Sequence, residues 1–342
     1  MGAVCQRWLW GVGVAGTGLF AIASRVDTVQ FSSIMNLLTR RDFLRTSTFA
    51  AAGLGVFAPA GLRAVEPLQR AGSPRLLVSL AAYSFRQYFK DGNKAVPPAD
   101  KAMDMVKFID YCAEQGCAGA ELTSYFFPKE LTAEYLVQVR RHAFLRGVAI
   151  SGTAVGNNFA LPAGEALGKQ VADVKRWIDH AAVMGAPHIR VFAGAAKGIT
   201  DAEARKMCIA SLEETAEYAG KRGIFLGLEN HGGIVAEADG LLEIVRTVKS
   251  PWLGVNLDTG NFHTDDPYGD LARCAPYAVN VQVKVEMKRR GQKEAEAADI
   301  GRLVKILKAV NYQGFVALEY EAKEDPFTAV PPALRKLREL CG

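Results

Sequence analysis

No zinc-type C-x-x-C pair occurs in this 342-residue chain, and five of its six cysteines (Cys112, Cys117, Cys208, Cys274 and Cys341) lie beyond residue 64. An odd, scattered set argues for buried thiols rather than a disulfide framework or a structural zinc module. Histidine is sparse, with five in all. No Gly-rich phosphate fingerprint follows the first strand-like segment, so the signature of a doubly wound dinucleotide sheet is missing. No Pro/Gly/Ser-rich linker divides the chain after residue 64. The apolar run at 8–23, WLWGVGVAGTGLFAIA, has sixteen residues, short of the roughly 20 that a spanning helix needs.

A surplus of one charge is also lacking once the N-terminal segment is set apart. Of 41 basic and 36 acidic residues, six Arg and two Asp fall within residues 1–64, leaving 35 and 34. That balance gives no electrostatic footprint for nucleic acid or an anionic membrane. The segment itself reads as routing. Thr39-Arg40-Arg41-Asp42-Phe43-Leu44-Arg45 is a twin-arginine motif, followed by TSTFAAAGLGVFAPAG and an A-x-A-like stretch near Leu62-Arg63-Ala64. Met35, four residues before the motif, is the expected start, with residues 1–34 as an upstream extension. The expectation is therefore an exported, periplasmic protein, with residues 1–64 as extension plus signal and 65–342 as one folded domain. No stable membrane insertion is expected after signal removal; a homo-oligomer is left open.

In that domain, short apolar runs bounded by Gly, Asn or Pro alternate with stretches of helical periodicity, the pattern of βα units around a parallel sheet. Strands are predicted at 76–84, 117–124, 148–155, 188–194, 224–230, 253–259, 279–285 and 314–320. Helices are predicted at 99–115, 131–146, 165–184, 201–222, 236–248, 268–275, 297–310 and 327–340. Thr200-Asp201-Ala202-Glu203 puts acid into a first turn, and Gly116, Gly147, Gly185 and Gly223 follow helices where a left-handed cap is wanted. Eight units over this length predict a closed α/β barrel of the (β/α)₈ type.

Four polar residues interrupt the ends of the last four strands: Glu229 in GIFLGLENHGG, Asp258 in WLGVNLDTGNF, Gln282 in AVNVQVKVEM and Glu319 in GFVALEYEA. A parallel barrel gathers strand ends into one mouth, and carboxylates buried together there need a compensating cation. Two compensations are open from the residues alone: a shared divalent ion, or separate pairing with Lys284, Arg190 or Arg86.

From about residue 75 to 340 the chain resembles the sugar phosphate isomerase/epimerase group with the xylose-isomerase-like TIM barrel. That resemblance implies a metal-dependent isomerase or epimerase acting on a carbohydrate or keto-sugar by proton transfer through an enediolate. It implies Mn²⁺, Mg²⁺ or Co²⁺ on Glu229, Asp258, Gln282 and Glu319, with Glu229 and Glu319 also the acid/base pair. Two positions depart from the pattern: Gln282 stands where His is common, and Asn261 where a substrate-binding His is common. Alternatives are a lyase or dehydratase acting on a keto-sugar or keto-glycoside, and a sugar-binding barrel without turnover. Expected substrate contacts are His231, Lys284, Asn261, Glu121, Arg190 and Asn158. The loop Lys288-Arg289-Arg290 is either an anion site or a solvated face.

Overall fold

The structure is a computed structural model and describes residues 65–92 and 96–342. The twin-arginine signal, the upstream extension and the Met35 start all lie outside the described residues. Eight strands form a closed, all-parallel barrel: β1 (Arg75–Ala81), β2 (Gly119–Thr123), β3 (Ala149–Ala154), β4 (His188–Phe192), β5 (Phe225–Glu229), β6 (Leu253–Asp258), β7 (Ala278–Val283) and β8 (Gln313–Leu318). Each pairs with its sequence neighbours, and β1 closes the ring on β8. The eight strands predicted from periodicity are these eight.

Eight α-helices alternate with the strands: α1 (Met105–Glu114), α2 (Ala133–Leu145), α3 (Glu165–Met184), α4 (Asp201–Gly220), α5 (Ala238–Thr247), α6 (Pro267–Cys274), α7 (Ile300–Ala309) and α8 (Pro326–Cys341). Their starts are written locally. Thr200 and Glu203 form a reciprocal capping box at α4, satisfying two of the orphan amides of the first turn. The expected glycines all take left-handed φ, 68° at Gly116 and Gly147, 79° at Gly185 and 69° at Gly223. The first helix begins later than predicted, because Asp104 accepts from the Lys107 amide at 2.9 Å and caps the chain there. Among the described residues no helix is long and apolar enough to cross a membrane. Cys112, Cys117, Cys208 and Cys274 are buried free thiols and Cys341 is half-buried.

Strand faces follow a period of two. On β7, Val281 and Val283 alternate with Asn280 and Gln282, and all four are buried. The valines pack outward under the helices, and the amides enter the lumen. Lower in the barrel, a Cβ added to Gly152 of β3 would lie 1.8 Å from Cε1 of buried His188. Gly152→Ala is therefore expected to cost about 1–3 kcal/mol through overpacking, read as a lower urea midpoint with unchanged slope.

Candidate active site

Strand ends and the loops after them place the polar residues at the C-terminal mouth. The strands were predicted to run a residue or more further, through Asn230 and Thr259, and the chain instead leaves the sheet at Glu229 and Asp258. Side chains take over the missing ladder. Asn230 donates to the Asp258 carbonyl at 2.8 Å and accepts from its amide at 2.9 Å. This double bond holds the Glu229 and Asp258 strand ends side by side.

A cavity of about 230 Å³ opens there, walled by Glu229, Glu319, Arg190, Lys284, Asn261 and His231, with Tyr83, Tyr125, Phe192 and Glu321 completing the lining. Four of the expected substrate contacts, Arg190, His231, Asn261 and Lys284, thus lie with both expected acid/base carboxylates. Arg190 is held rigidly. Its Nε lies 2.8 Å from Glu229 Oε2, Nη1 donates to the Val155 carbonyl at 3.1 Å and to the Tyr125 hydroxyl at 3.3 Å, and its guanidinium sits 3.9 Å from the Phe192 ring centroid. Asn261 donates from Nδ2 to Glu229 Oε1 at 3.0 Å. The His231 ring packs on Phe192 with centroids 4.5 Å apart.

On the opposite wall, the Lys284 ammonium lies 2.7 Å from Glu319 Oε2 and 3.2 Å from Asp258 Oδ2, and also bonds to Glu321. Asp258 Oδ1 accepts from the Gly260 amide at 2.8 Å. Burial pushes the Glu229 carboxyl up to about 7, with Arg190 pulling against it and Glu319 reinforcing it. Asp258 is likewise raised to about 7 by burial, with Lys284 opposing. Burial alone would lower Lys284, but Asp258, Glu319 and Glu321 outweigh it and hold its pKa well above the ordinary lysine value.

Two of the expected substrate contacts lie elsewhere. Glu121 is fully buried and does not line the cavity. It belongs to a ring of hydrogen bonds spanning the lumen from β2 to β6 and β7. Gln282 donates from Nε2 to Glu121 Oε1 at 2.6 Å, and Asn280 donates from Nδ2 to Glu121 Oε2 at 2.7 Å and to Asn256 Oδ1 at 2.8 Å. Asn256 closes the circuit by donating from Nδ2 to Gln282 Oε1 at 2.6 Å. Asn158 is also off the cavity: its Oδ1 accepts from the Ala160 amide at 2.8 Å and its Nδ2 donates to the Ala195 carbonyl at 3.2 Å. It shapes the loop after β3. Asn256 and Asn280 were missed by the sequence reading, although their spacing of two from Asp258 and Gln282 placed them on the same lumen face.

The four residues expected to hold a metal ion are engaged with other partners. Among the described residues no group of three or more His, Cys, Asp or Glu is drawn together so as to hold a metal ion. The reason is visible in the partners. Gln282 spends its carbonyl oxygen on Asn256 and its amide on Glu121, Glu229 is paired with Arg190, and Asp258 and Glu319 share Lys284. As these side chains stand, a divalent ion does not fit them without evicting the ammonium. The basic loop is engaged too: Arg289 pairs with Glu296 at 2.8 Å and Arg290 with Glu237 at 2.6 Å.

The buried Glu121 has a consequence for stability. Burial raises its carboxyl to about 7, helped by Glu319 and opposed by the Gln282 and Asn280 amides. A folded-state pKa above the unfolded value contributes stability fully present below the ordinary carboxyl range and lost as pH rises through about 7. Glu121→Gln is expected to remove that pH-dependent loss. It should also lower stability at acid pH by about 1–3 kcal/mol, since its new NH₂ meets the Gln282 or Asn280 donor. Urea titrations across that pH range measure both effects.

No protein of curated function matches the sequence. Solved structures do match. The 3-keto-D-glucoside 4-epimerase YcjR from E. coli superposes with a TM-score of 0.59 at 17% identity, over 78% of this chain and 100% of that one. D-Psicose 3-epimerase from Clostridium cellulolyticum H10, crystallised with D-tagatose, gives 0.62 at 15% identity, over 78% and 99%. The IolI protein, whose crystal structure has a bound zinc atom, gives 0.60 at 15% identity, over 77% and 96%. At such identities the likeness is one of fold. A family model described as xylose isomerase-like TIM barrel matches residues 109–340, more than half of the chain, and the closed ring of eight strands agrees with it: the chain belongs to that family.

Proposed function

We propose that this barrel is a sugar isomerase or epimerase that moves a proton on the carbon next to a carbonyl. The observation that supports it most is the cavity itself, in which Glu229 and Glu319 each stand beside a buried cation. One carboxylate takes the C–H proton, the electron pair of that bond becomes a C=C bond, and the carbonyl electrons move to oxygen as an enediolate. Arg190 and Lys284 are fixed donors for that developing negative charge. Return of the proton from the other glutamic acid to the opposite face of the same carbon gives the epimer, and return to the neighbouring carbon gives the isomer. The epimerases among the structural neighbours are consistent with this chemistry. His231 and Asn261 are the groups available to sugar hydroxyls, and the Phe192 and Tyr83 rings supply apolar wall.

The substrate in this reading is an unphosphorylated sugar or keto-sugar. Arg289 and Arg290, the strongest anion donors beside the mouth, are already paired with Glu296 and Glu237. An exported location through the twin-arginine segment is part of the same proposal, since sugar phosphates are scarce outside the cytoplasm. The test is chromatographic product analysis on a panel of neutral keto-sugars and keto-glycosides. An isomeric sugar supports the proposal. An unsaturated product assigns a lyase instead, and binding without turnover assigns a sugar-binding barrel.

A further inference from the structure

The acidic mouth already contains a cation of its own. Lys284 enters from the end of β7 with 9% of its side chain exposed and its ammonium among Asp258, Glu319 and Glu321. Its path is built into the surroundings. Thr259 Oγ1 accepts from the Lys284 amide at 2.9 Å, and a Cβ at Gly260 would lie 2.6 Å from Lys284 Cγ and 2.9 Å from its Cβ. Only glycine leaves room there for the lysine stem to run past the loop. The two departures from the family pattern run in the same direction, since Gln282 has turned its amide into the lumen ring and Asn261 donates to Glu229.

We propose that the Lys284 ammonium takes the place of a divalent ion in this barrel, as the resident cation that compensates Asp258 and Glu319 and faces the developing oxyanion. A single positive charge within 3.2 Å of two buried carboxylates, with a third bonded to it, supplies the compensation such a cluster requires. An ammonium also donates hydrogen bonds, which a metal ion does not, so its orienting effect on an oxyanion is that of a donor and not of a Lewis acid. The oxyanion role rests on the isomerase reading above; the place of the ammonium does not.

The test is made on the full chain without substrate. Protein produced with Mn²⁺, Mg²⁺, Co²⁺ and Zn²⁺ in the medium is analysed for bound metal, and its melting temperature is read with each ion added at millimolar concentration. Wild type is expected to carry substoichiometric metal and to show no shift. Lys284→Met removes the charge and keeps the stem, leaving Asp258 and Glu319 uncompensated; a divalent ion is then expected to raise its melting temperature by several degrees. Lys284→Arg is expected to stay indifferent to metal. One equivalent of bound ion with a thermal shift in wild type overturns the inference, as does a folded Lys284→Met protein that ignores all four ions. Should Lys284→Met fail to fold, the wild-type measurement decides alone. Neither readout involves turnover, so this inference and the isomerase reading fail separately.

Discussion

Glu229→Gln is expected to lower turnover of the keto-sugar substrate by on the order of 10²- to 10⁴-fold, the usual contribution of a positioned acid or base, while leaving the barrel folded. Gln keeps an oxygen for the Asn261 amide and loses the charge that accepts the proton and pairs with Arg190. The pH profile carries a second signature. Burial raises the Glu229 carboxyl to about 7, so at lower pH the base is protonated and idle. In wild type, kcat/KM is therefore expected to fall about tenfold per pH unit below that point and to level off above it. A flat profile through neutrality removes Glu229 from the role of base, as does a Glu229→Gln variant with wild-type turnover.

Arg190→Met is expected to be the most destabilising change at the mouth. Arg190 and Glu229 are both buried and 2.8 Å apart, and removing one partner of such a pair costs about 3–5 kcal/mol because the other charge stays desolvated. The sign of the pH dependence follows from Glu229. Without the guanidinium its folded pKa moves further above the unfolded value. The stability tied to that carboxyl is then complete below the ordinary carboxyl range and lost as pH rises through the raised value. Urea unfolding near pH 5 and near pH 8 is expected to show a smaller loss at the acid end, where Glu229 is neutral. Equal losses at both would mean that Arg190 contributes packing alone, through Phe192 and Tyr125.

Most of the barrel was legible because its signals are local. Apolar runs of strand length, helix caps such as Thr200–Glu203 and the left-handed glycines after helices each need only a few neighbouring residues, and all recur where predicted. Strand ends were overestimated because Asn230 prolongs the pairing of β5 and β6 through its side chain after the backbone has left the sheet. That exchange is invisible to periodicity.

The site was legible in membership and not in pairing. Glu229, Glu319, Lys284, Arg190, Asn261 and His231 meet in one cavity, as strand-end positions in a parallel barrel should. Which cation faces which carboxylate depends on how the strand ends sit side by side in the closed barrel, which sets Arg190 against Glu229 and Lys284 against Asp258 and Glu319. Glu121 illustrates the difficulty. Its partners Asn280 and Gln282 lie 159 and 161 residues away across the lumen, so a strand-end residue expected among the substrate contacts closes an interior ring instead. Gln282 presents the same difficulty. Its position matched that of a ligand, but its amide was already committed to Asn256 and Glu121.

Wash-in of solvent deuterium, followed by NMR on a turned-over keto-sugar with wild type and with Glu319→Gln, tests most directly whether the two mouth glutamates move a carbon-bound proton. Wild type is expected to place deuterium on the carbon next to the carbonyl of the isomeric product, and Glu319→Gln to lose that incorporation while its far-UV spectrum is unchanged. Product formed without deuterium on that carbon, or undiminished incorporation in the variant, contradicts it.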